Sequence, residues 1–349
     1  MKKSLCQLGK YILVFIIANI QLAIAQSVDE LQKRLDEPIQ TRSDVVEIDL
    51  STFKDLDRKR PLYVRNGGHY VFTNGTLKRT EALNDSALLV VSSSSSVELG
   101  KDAVLSGGNR QNGHELVLLE TGHLKLSSGE IREACYSFAT PKKYDYAVLV
   151  KTPNSAFEMT GGKIIDTEGV CNLGGQLSFS GGSFVNNGTI ESNTIFDLAG
   201  SVAVPDISLK EKAMVRLTSS LEHVIHIWPT PNARTKSSMA QPDNIGDYEG
   251  IVVAEGKNYT ITEGDVAKIS CPKLSSDKWK FVLENNQVVI RSVTSGIVDA
   301  ETLQEFLDKA PAGTASNPVV VEIPEEGIEL DCFIRIPENK HFRITGGSI

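Results

Sequence analysis

A short phrase of alternating apolar and polar residues, ending in glycine, recurs along this chain. In the copy at 177–182 the one-letter sequence is LSFSGG. Apolar residues two positions apart are typical of a strand with one buried face, and the glycines allow the backbone to turn tightly. The other copies lie at 103–108, 124–129, 157–162, 342–347 and, more loosely, 70–75.

The spacing of these copies indicates how the strands are arranged. Their last glycines lie at positions 75, 108, 129, 162 and 182, so the copies are 33, 21, 33 and 20 residues apart. Repeats of roughly 20–50 residues indicate solenoids, propellers or arrays. No helical pattern separates the copies. We therefore predict an all-β chain, a right-handed parallel β-helix (solenoid) over 45–290 with the glycines stacked as a corner. The alternative is an antiparallel sandwich with glycine-rich hairpins.

The first 25 residues predict a secretory signal peptide. Lys2, Lys3 and Lys10 form a positive region, residues 11–17 are mostly apolar, and an A-x-A cleavage site ends at Ala25. This arrangement predicts a chain that is secreted or held at the cell surface. The rest of the chain contains no apolar stretch near the roughly 20 residues of a membrane span, so we expect none.

Other segments predict how the stack begins and ends. Leu31 and Leu35 lie on one face of a predicted helix at 28–36, which would form a short N-terminal capping helix. Residues 229–247 hold several prolines and polar residues, typical of a surface loop. Two strands are expected in 250–269, and 279–290 predicts a closing hairpin.

The order of helix, strand and glycine phrase occurs twice at a nearly constant offset. We therefore predict one β-helix module over 26–295, and in 296–349 the start of a second, incomplete module. In this prediction 301–308 repeats the first helix, 320–323 repeats 45–48, and 342–349 repeats 70–77.

Charge and cysteine content limit the function classes. The formal net charge is −8, and it becomes −11 once the three lysines of the predicted signal peptide are removed. An acidic chain is a poor ligand for nucleic acid, whose binding depends on phosphate neutralisation. Cys135 and Cys171 follow equivalent corners, so export would permit a disulfide between them. Buried thiols are the favoured reading, because cysteine behaves as a small apolar residue.

The signal peptide, the glycine phrase and the tandem module resemble those of secreted bacterial surface proteins with pectin-lyase-like parallel β-helices. The resemblance is one of architecture and composition, and residues 61–200 carry it. Proteins of this kind include polysaccharide lyases and glycoside hydrolases, and also adhesins and surface proteins with no known activity. The resemblance therefore implies one of these two kinds of function. Fold alone does not assign one of these functions.

The carboxylates show no arrangement that predicts catalysis or a metal. Glycoside hydrolysis needs two carboxylates at a fixed separation. Asp102, Glu130, Asp166 and Asp197 are scattered, and no repeat in register is evident among them. The one D-x-D, at 55–57, is followed by three basic residues, which disfavour calcium.

The histidines and aromatic residues provide little evidence for a catalytic or metal-binding site. His223 and His226 are three apart, so a strand would direct them to opposite faces. We therefore predict no catalytic, cofactor-binding or metal-binding residue.

The favoured function is a non-enzymatic secreted or cell-surface protein with an adhesive or structural role, whose partners are glycans or cell-surface molecules. The alternatives are a polysaccharide lyase or glycoside hydrolase, and a glycan-binding module that presents Trp228, Trp279 and the 229–247 loop.

Overall fold

The computed structural model describes the chain in segments between Val28 and Ile349, and every structural statement below refers to those residues. The predicted signal peptide lies outside them, as does most of the predicted 229–247 loop. The described residues are 28–37, 44–53, 57–58, 60–80, 86–107, 109–110, 115–136, 143–210, 212–230, 248–272, 274, 276, 279–293, 297, 299–310, 312–315, 318–324, 327–330 and 333–349.

The described residues form mostly β-strands. The helices are α1 (Val28–Asp36), α2 (Glu263–Val266) and α3 (Ala300–Lys309), with a short 3-10 helix at Leu50–Thr52. The strands are β1 (Val45–Asp49), β2 (Asp57–Arg58), β3 (Leu62–Val64), β4 (His69–Thr73), β5 (Gly75–Arg79), β6 (Leu89–Val91), β7 (Ser96–Leu99), β8 (Ala103–Ser106), β9 (Asn109–Arg110), β10 (Val117–Leu119), β11 (His123–Leu126), β12 (Glu130–Arg132), β13 (Cys135–Tyr136), β14 (Lys143–Tyr144), β15 (Tyr146–Val150), β16 (Ala156–Ile165), β17 (Gly169–Asn172), β18 (Gln176–Val185), β19 (Thr189–Ser192), β20 (Phe196–Leu198), β21 (Asp206–Leu209), β22 (Val215–Leu217), β23 (Ile225–Pro229), β24 (Val252–Gly256), β25 (Ile269–Ser270), β26 (Trp279–Glu284), β27 (Gln287–Ser292), β28 (Val319–Ile323) and β29 (Phe342–Gly346).

Two long sheets run the length of the main stack. The first sheet has the order β1-β4-β7-β11-β16-β18-β20-β22-β24, and it ends in the antiparallel hairpin β26–β27. The second sheet has the order β3-β6-β10-β15-β17-β19-β21-β23-β25. Neighbours within each of these two orders are parallel, so the fold is all-β with long parallel sheets. The antiparallel sandwich is therefore wrong, and the predicted closing hairpin is confirmed.

Apolar side chains stack between the sheets because successive strands are in register. Phe157, Phe179 and Phe196 lie on consecutive strands of the first sheet and are almost fully buried. Their rings meet edge to face, with centroids 6.1 Å and 6.0 Å apart. Such contacts add about 0.5–1.5 kcal/mol each beyond the buried area. The core is thus a column of side chains, one from each coil.

Three of the predicted glycine corners lie on top of one another. A Cβ atom at Gly162 would lie 2.4 Å from the carbonyl oxygen of Gly129, and one at Gly182 would lie 2.6 Å from that of Gly161. Gly162 and Gly182 also have φ values of +69° and +89°, which favour glycine. The close approach of successive backbones requires glycine here, as the recurring phrase predicts.

Helix α1 packs on the first strands of the stack. Leu31 and Leu35 are fully buried in the same apolar cluster as the strands. The amide of Asn66 donates to the carbonyl of Leu35 at 2.7 Å, so a polar group at the end of the helix has a partner.

One predicted strand in 250–269 is wrong. Strand β24 lies there, but the following residues form helix α2 before β25 begins at Ile269. The side chain of Thr262 accepts from the backbone of Asp265, and the Asp265 carboxylate accepts from the backbone of Thr262. This reciprocal capping starts a helix where apolar residues alone suggest a strand.

The C-terminal segment has a core of its own. Leu303 and Leu307 of α3 pack with Val321 and Ile323 of β28 in an apolar cluster separate from that of the main stack. Strand β28 pairs with β29 in parallel. The order helix, strand, strand repeats that of α1, β1 and β4, and the boundary between 295 and 296 remains a prediction.

Candidate interaction surface

The outer face of the first sheet carries a row of polar side chains. On six of the seven strands that carry this row the two residues that flank the central one are buried, as Phe157 and Met159 are beside exposed Glu158. On β24, Ala254 is buried and Gly256 is half-buried. Since the strands are in register, the central residues of neighbouring strands lie side by side at about 4.8 Å. We call this row the charged ladder, and it consists of Glu98, Lys125, Glu158, Ser178, Asp197, Arg216 and Glu255.

Ion pairs connect part of the ladder. Lys125 Nζ lies 3.5 Å from a Glu98 carboxylate oxygen. The Asp197 carboxylate accepts from Arg216 Nε at 2.8 Å and from Lys257 Nζ at 2.5 Å. Exposed pairs of this kind stabilise a fold by about 0–1 kcal/mol at most, so their arrangement bears more on recognition than on stability.

A second polar row lies beside the ladder. His69, Ser96 and His123 are the first residues of β4, β7 and β11, and they are in register. His69 Nδ1 lies 2.5 Å from Ser96 Oγ. His69 and His123, each of which directly precedes a copy of the glycine phrase, therefore lie on the outer face, where they extend the polar surface.

The carboxylates selected from the sequence are only partly brought together. Asp102 and Asp166 lie in turns with positive φ, and Glu130 pairs with Arg132 on β12. Asp197 lies in the charged ladder, where its neighbours on the adjacent strands are Ser178 and Arg216 and not another of these four carboxylates. Residue 55 of the D-x-D lies outside the described part of the chain.

A different cluster lies on the outer face of the second sheet. The Tyr146 hydroxyl donates to a Glu191 carboxylate oxygen at 2.5 Å, and Lys210 Nζ lies 2.9 Å from the other oxygen. These two hydrogen bonds, Tyr146 first, lower the pKa of Glu191. Burial, followed by the charges of Glu191 and Asp145, raises the pKa of Glu168. The two glutamates therefore differ in proton affinity, and the Glu168 carboxyl packs against Gly188, where a Cβ would lie 2.8 Å away.

Cys171 lies beside this cluster as a buried free thiol. Burial, with the charge of Glu191 adding to it, raises its pKa to about 12. A thiol of this kind stays protonated and unreactive at neutral pH. The favoured reading of a buried thiol is confirmed at this position, and Cys271 is also buried. The Cys135 side chain lies outside the described part.

The terminal hairpin forms a small open cleft of about 270 Å³. Arg291 spans it, with two guanidinium nitrogens on Glu284 at 2.8 Å and 2.6 Å and a third on Glu249 at 3.1 Å. The hydrogen bond from Arg291 lowers the pKa of Glu284. Arg291 therefore ties β27 to β26 and to the turn that precedes β24, which indicates a structural role.

Trp279 does not have the exposure that a glycan platform needs. Its ring is 5 % exposed and packs edge to face on Tyr248 at a centroid distance of 5.6 Å. The expectation that Trp279 faces a glycan is therefore wrong, because the ring fills the end of the core. Trp228 lies half-buried on β23.

Among the residues that the structure describes, no group of three or more His, Cys, Asp or Glu side chains could hold a metal ion. The longest helix in that part of the chain, α3, has 10 residues, and none there is a candidate membrane span.

Comparisons of this chain with protein-family models, with curated proteins and with solved structures give no match. The class of protein is therefore defined by the fold itself, an all-β chain of long parallel sheets, with a charged ladder on the outer face of the first sheet.

Proposed function

We propose that this chain is a secreted or cell-surface protein with a non-enzymatic adhesive or structural role. In this proposal it is a right-handed parallel β-helix, similar to the pectin-lyase-like surface proteins, and α1 caps its first coil. The parallel strand order and the burial of Leu31 and Leu35 support the architecture. The signal-peptide pattern that ends at Ala25 supports export.

The charged ladder is the observation that supports the adhesive or structural role. It places charged and hydroxyl groups side by side over seven consecutive strands, from β7 to β24. A long regular surface of this kind presents a repeated contact, while catalysis needs a few groups that converge on one reacting atom. The ladder therefore favours a surface that holds a partner, whether a glycan or another cell-surface molecule.

The proposal predicts that the chain adheres to a glycan or a cell surface without cleaving it. Beads coated with the full chain are offered to a glycan panel and to cell surfaces, with and without calcium, and soluble sugar is measured afterwards. We expect binding, no released sugar, and weaker binding by a Glu158→Gln/Glu255→Gln variant. The matched control is Glu120→Gln, in an exposed turn outside the ladder. Released sugar, or no binding to any surface, would contradict the proposal.

One observation favours the glycoside hydrolase alternative. Glu168 and Glu191 interact and have pKa shifts in opposite directions, which is how an acid and a base divide their roles. If the cluster is catalytic, sugar released by the chain will be lost in Glu168→Gln and in Glu191→Gln. An inert wild type removes this alternative.

A further inference from the structure

The order of charges along the ladder is symmetric about its centre. From β7 to β24 the signs are negative, positive, negative, neutral, negative, positive and negative, with Ser178 in the middle. Two copies of one chain most often meet about a two-fold axis, where residue i faces residue j and j faces i. An axis displaced from the centre of this pattern by half a strand step places opposite signs together.

The charges within one chain do not balance along the ladder. Glu98 pairs with Lys125, and Asp197 pairs with Arg216 and Lys257. Within the described part of the chain, neither Glu158 nor Glu255 takes part in an ion pair. These two carboxylates lie four strand steps apart, which is also the separation of Lys125 and Arg216 along the ladder.

The Lys125 and Arg216 of a second copy can contact these two carboxylates while each stays beside its own partner, Glu98 or Asp197. We propose that the charged ladder binds the same ladder of a second copy of this chain, antiparallel, about an axis between Ser178 and Asp197. Glu158 then faces Arg216 of the other copy, and Lys125 faces its Glu255. Ser178 can donate a hydrogen bond to Asp197. The proposal rests on the proposed function, since it names the partner of the same surface.

Other placements of the axis fit less well. An axis through Ser178 itself places Glu98 opposite Glu255 and Lys125 opposite Arg216, so like charges repel. An axis between Glu158 and Ser178 pairs Lys125 with Asp197, but it leaves Glu255 opposite Val71 of β4. The chosen axis alone among these three gives both unbalanced carboxylates a cation.

The contact is small, so the association is weak and salt-dependent. Six strand steps of about 4.8 Å make the ladder about 29 Å long. A single row of side chains of this length buries an area at the low end for a specific interface. Exposed ion pairs are screened strongly as the ionic strength rises, with a Debye length of about 10 Å at 0.1 M and about 3 Å at 1 M.

The experiment is a charge swap on the full chain. Sedimentation equilibrium measures dimerisation of the wild type, Lys125→Glu, Glu255→Lys and the double variant, at about 0.05 M and about 1 M salt. Each single reversal places like charges at two symmetry-related contacts, and we expect it to weaken the dimer at least about tenfold. The double variant restores opposite charges, so its dimer constant returns to within about threefold of the wild type. Lys151→Glu, the same charge change in an exposed turn, leaves the constant unchanged.

Three results would overturn the inference: a monomeric wild type at low salt, a dimer that single reversals do not affect, or a double variant that stays monomeric. Circular dichroism shows whether each variant folds, and Glu158→Arg with Arg216→Glu provides an independent second swap. A monomeric chain that still adheres to cells or glycans would remove only the self-association, while a dimer without adhesion would remove the proposed function.

Discussion

The first coil of the main stack and the C-terminal segment share a pattern but bury it to different extents. Each has a helix with two buried leucines, followed by two parallel strands. Phe72 on β4 is fully buried, whereas Ile344, at the equivalent place in the glycine phrase on β29, is 42 % exposed.

The difference comes from the next strand. β4 pairs with β1 on one side and with β7 on the other, so the side chains of β7 cover Phe72. Among the described residues, β29 pairs with β28 alone. A coil in a parallel stack therefore gains its core from the strands on both sides, and among the described residues Ile344 has a paired strand on one side only.

The largest expected effect is at Phe72. Phe72→Ala removes a fully buried ring between two coils, and we expect the free energy of unfolding to fall by about 4 kcal/mol. Ile344→Ala, the matched control, removes a half-exposed side chain, and we expect a loss below about 1 kcal/mol. Urea unfolding measures both, followed by tryptophan fluorescence for the main stack and by far-ultraviolet circular dichroism for the C-terminal segment, which contains no tryptophan. Equal losses of unfolding free energy at the two positions would contradict the claim that the strand on the second side stabilises Phe72.

The second effect concerns how the far end of the main stack is closed. Asp265 is fully buried, and its carboxylate accepts from the Tyr259 hydroxyl at 2.6 Å and from the backbone N–H groups of Leu221 and Thr262 at 2.8 Å and 2.9 Å. Asp265→Ala leaves these donors buried without an acceptor, and we expect a loss of about 3 kcal/mol. A loss as small as that of Ile344→Ala would show that this end is not closed by Asp265.

The same carboxylate predicts a pH dependence. Burial alone would raise the pKa of Asp265, but the hydrogen bonds, led by that of Tyr259, outweigh burial and lower it from 3.8 to about 2. The stabilisation is therefore complete above pH 3.8 and is lost as the pH falls through about 2. We expect Asp265→Asn to flatten this part of the stability curve, measured by unfolding between pH 5 and pH 2. An unchanged slope would contradict the assignment.

The smallest effect is at the N-cap of α3 in the C-terminal segment, Asp299, which has the position that Thr262 has in α2. Asp299 begins α3 by accepting from the backbone N–H of Thr302 at 2.8 Å, as in the capping of α2, but it is exposed. We expect Asp299→Ala to cause a clearly smaller loss than Asp265→Ala, because water can satisfy the freed N–H group. Thermal midpoints of the two variants give the ranking. A larger loss at Asp299 would contradict it.

The recurring phrase predicts most of the fold. Alternation gives the strands, and the glycines at 129, 162 and 182 give the stacked corner, because each property repeats locally. Helix α2 is missed, although Thr262 and Asp265 provide a capping signal in the sequence. The short sheet of β9, β13 and β14 has no comparable signal.

The sequence predicts only part of the candidate surface. The polar residue between the two apolar positions of each copy, such as Lys125 or Glu158, indicates an outward row. The place of Asp197 in that row depends on coil lengths that vary between copies. The contact of Tyr146 with Glu191, 45 residues apart, depends on the register of three strands, which single-strand patterns do not contain.

The register itself is the central claim, and a disulfide tests it most directly. Lys125 and Glu158 are partners on adjacent parallel strands, about 4.8 Å apart, within the Cα separation of a disulfide. Lys125 and Ser178 lie two strands apart, beyond that reach. After oxidation of monomeric Lys125→Cys/Glu158→Cys, we expect mass spectrometry to find the peptide that links the two positions, and none in Lys125→Cys/Ser178→Cys. A link only in the second variant, or in neither, would contradict the stacked register on which the charged ladder depends.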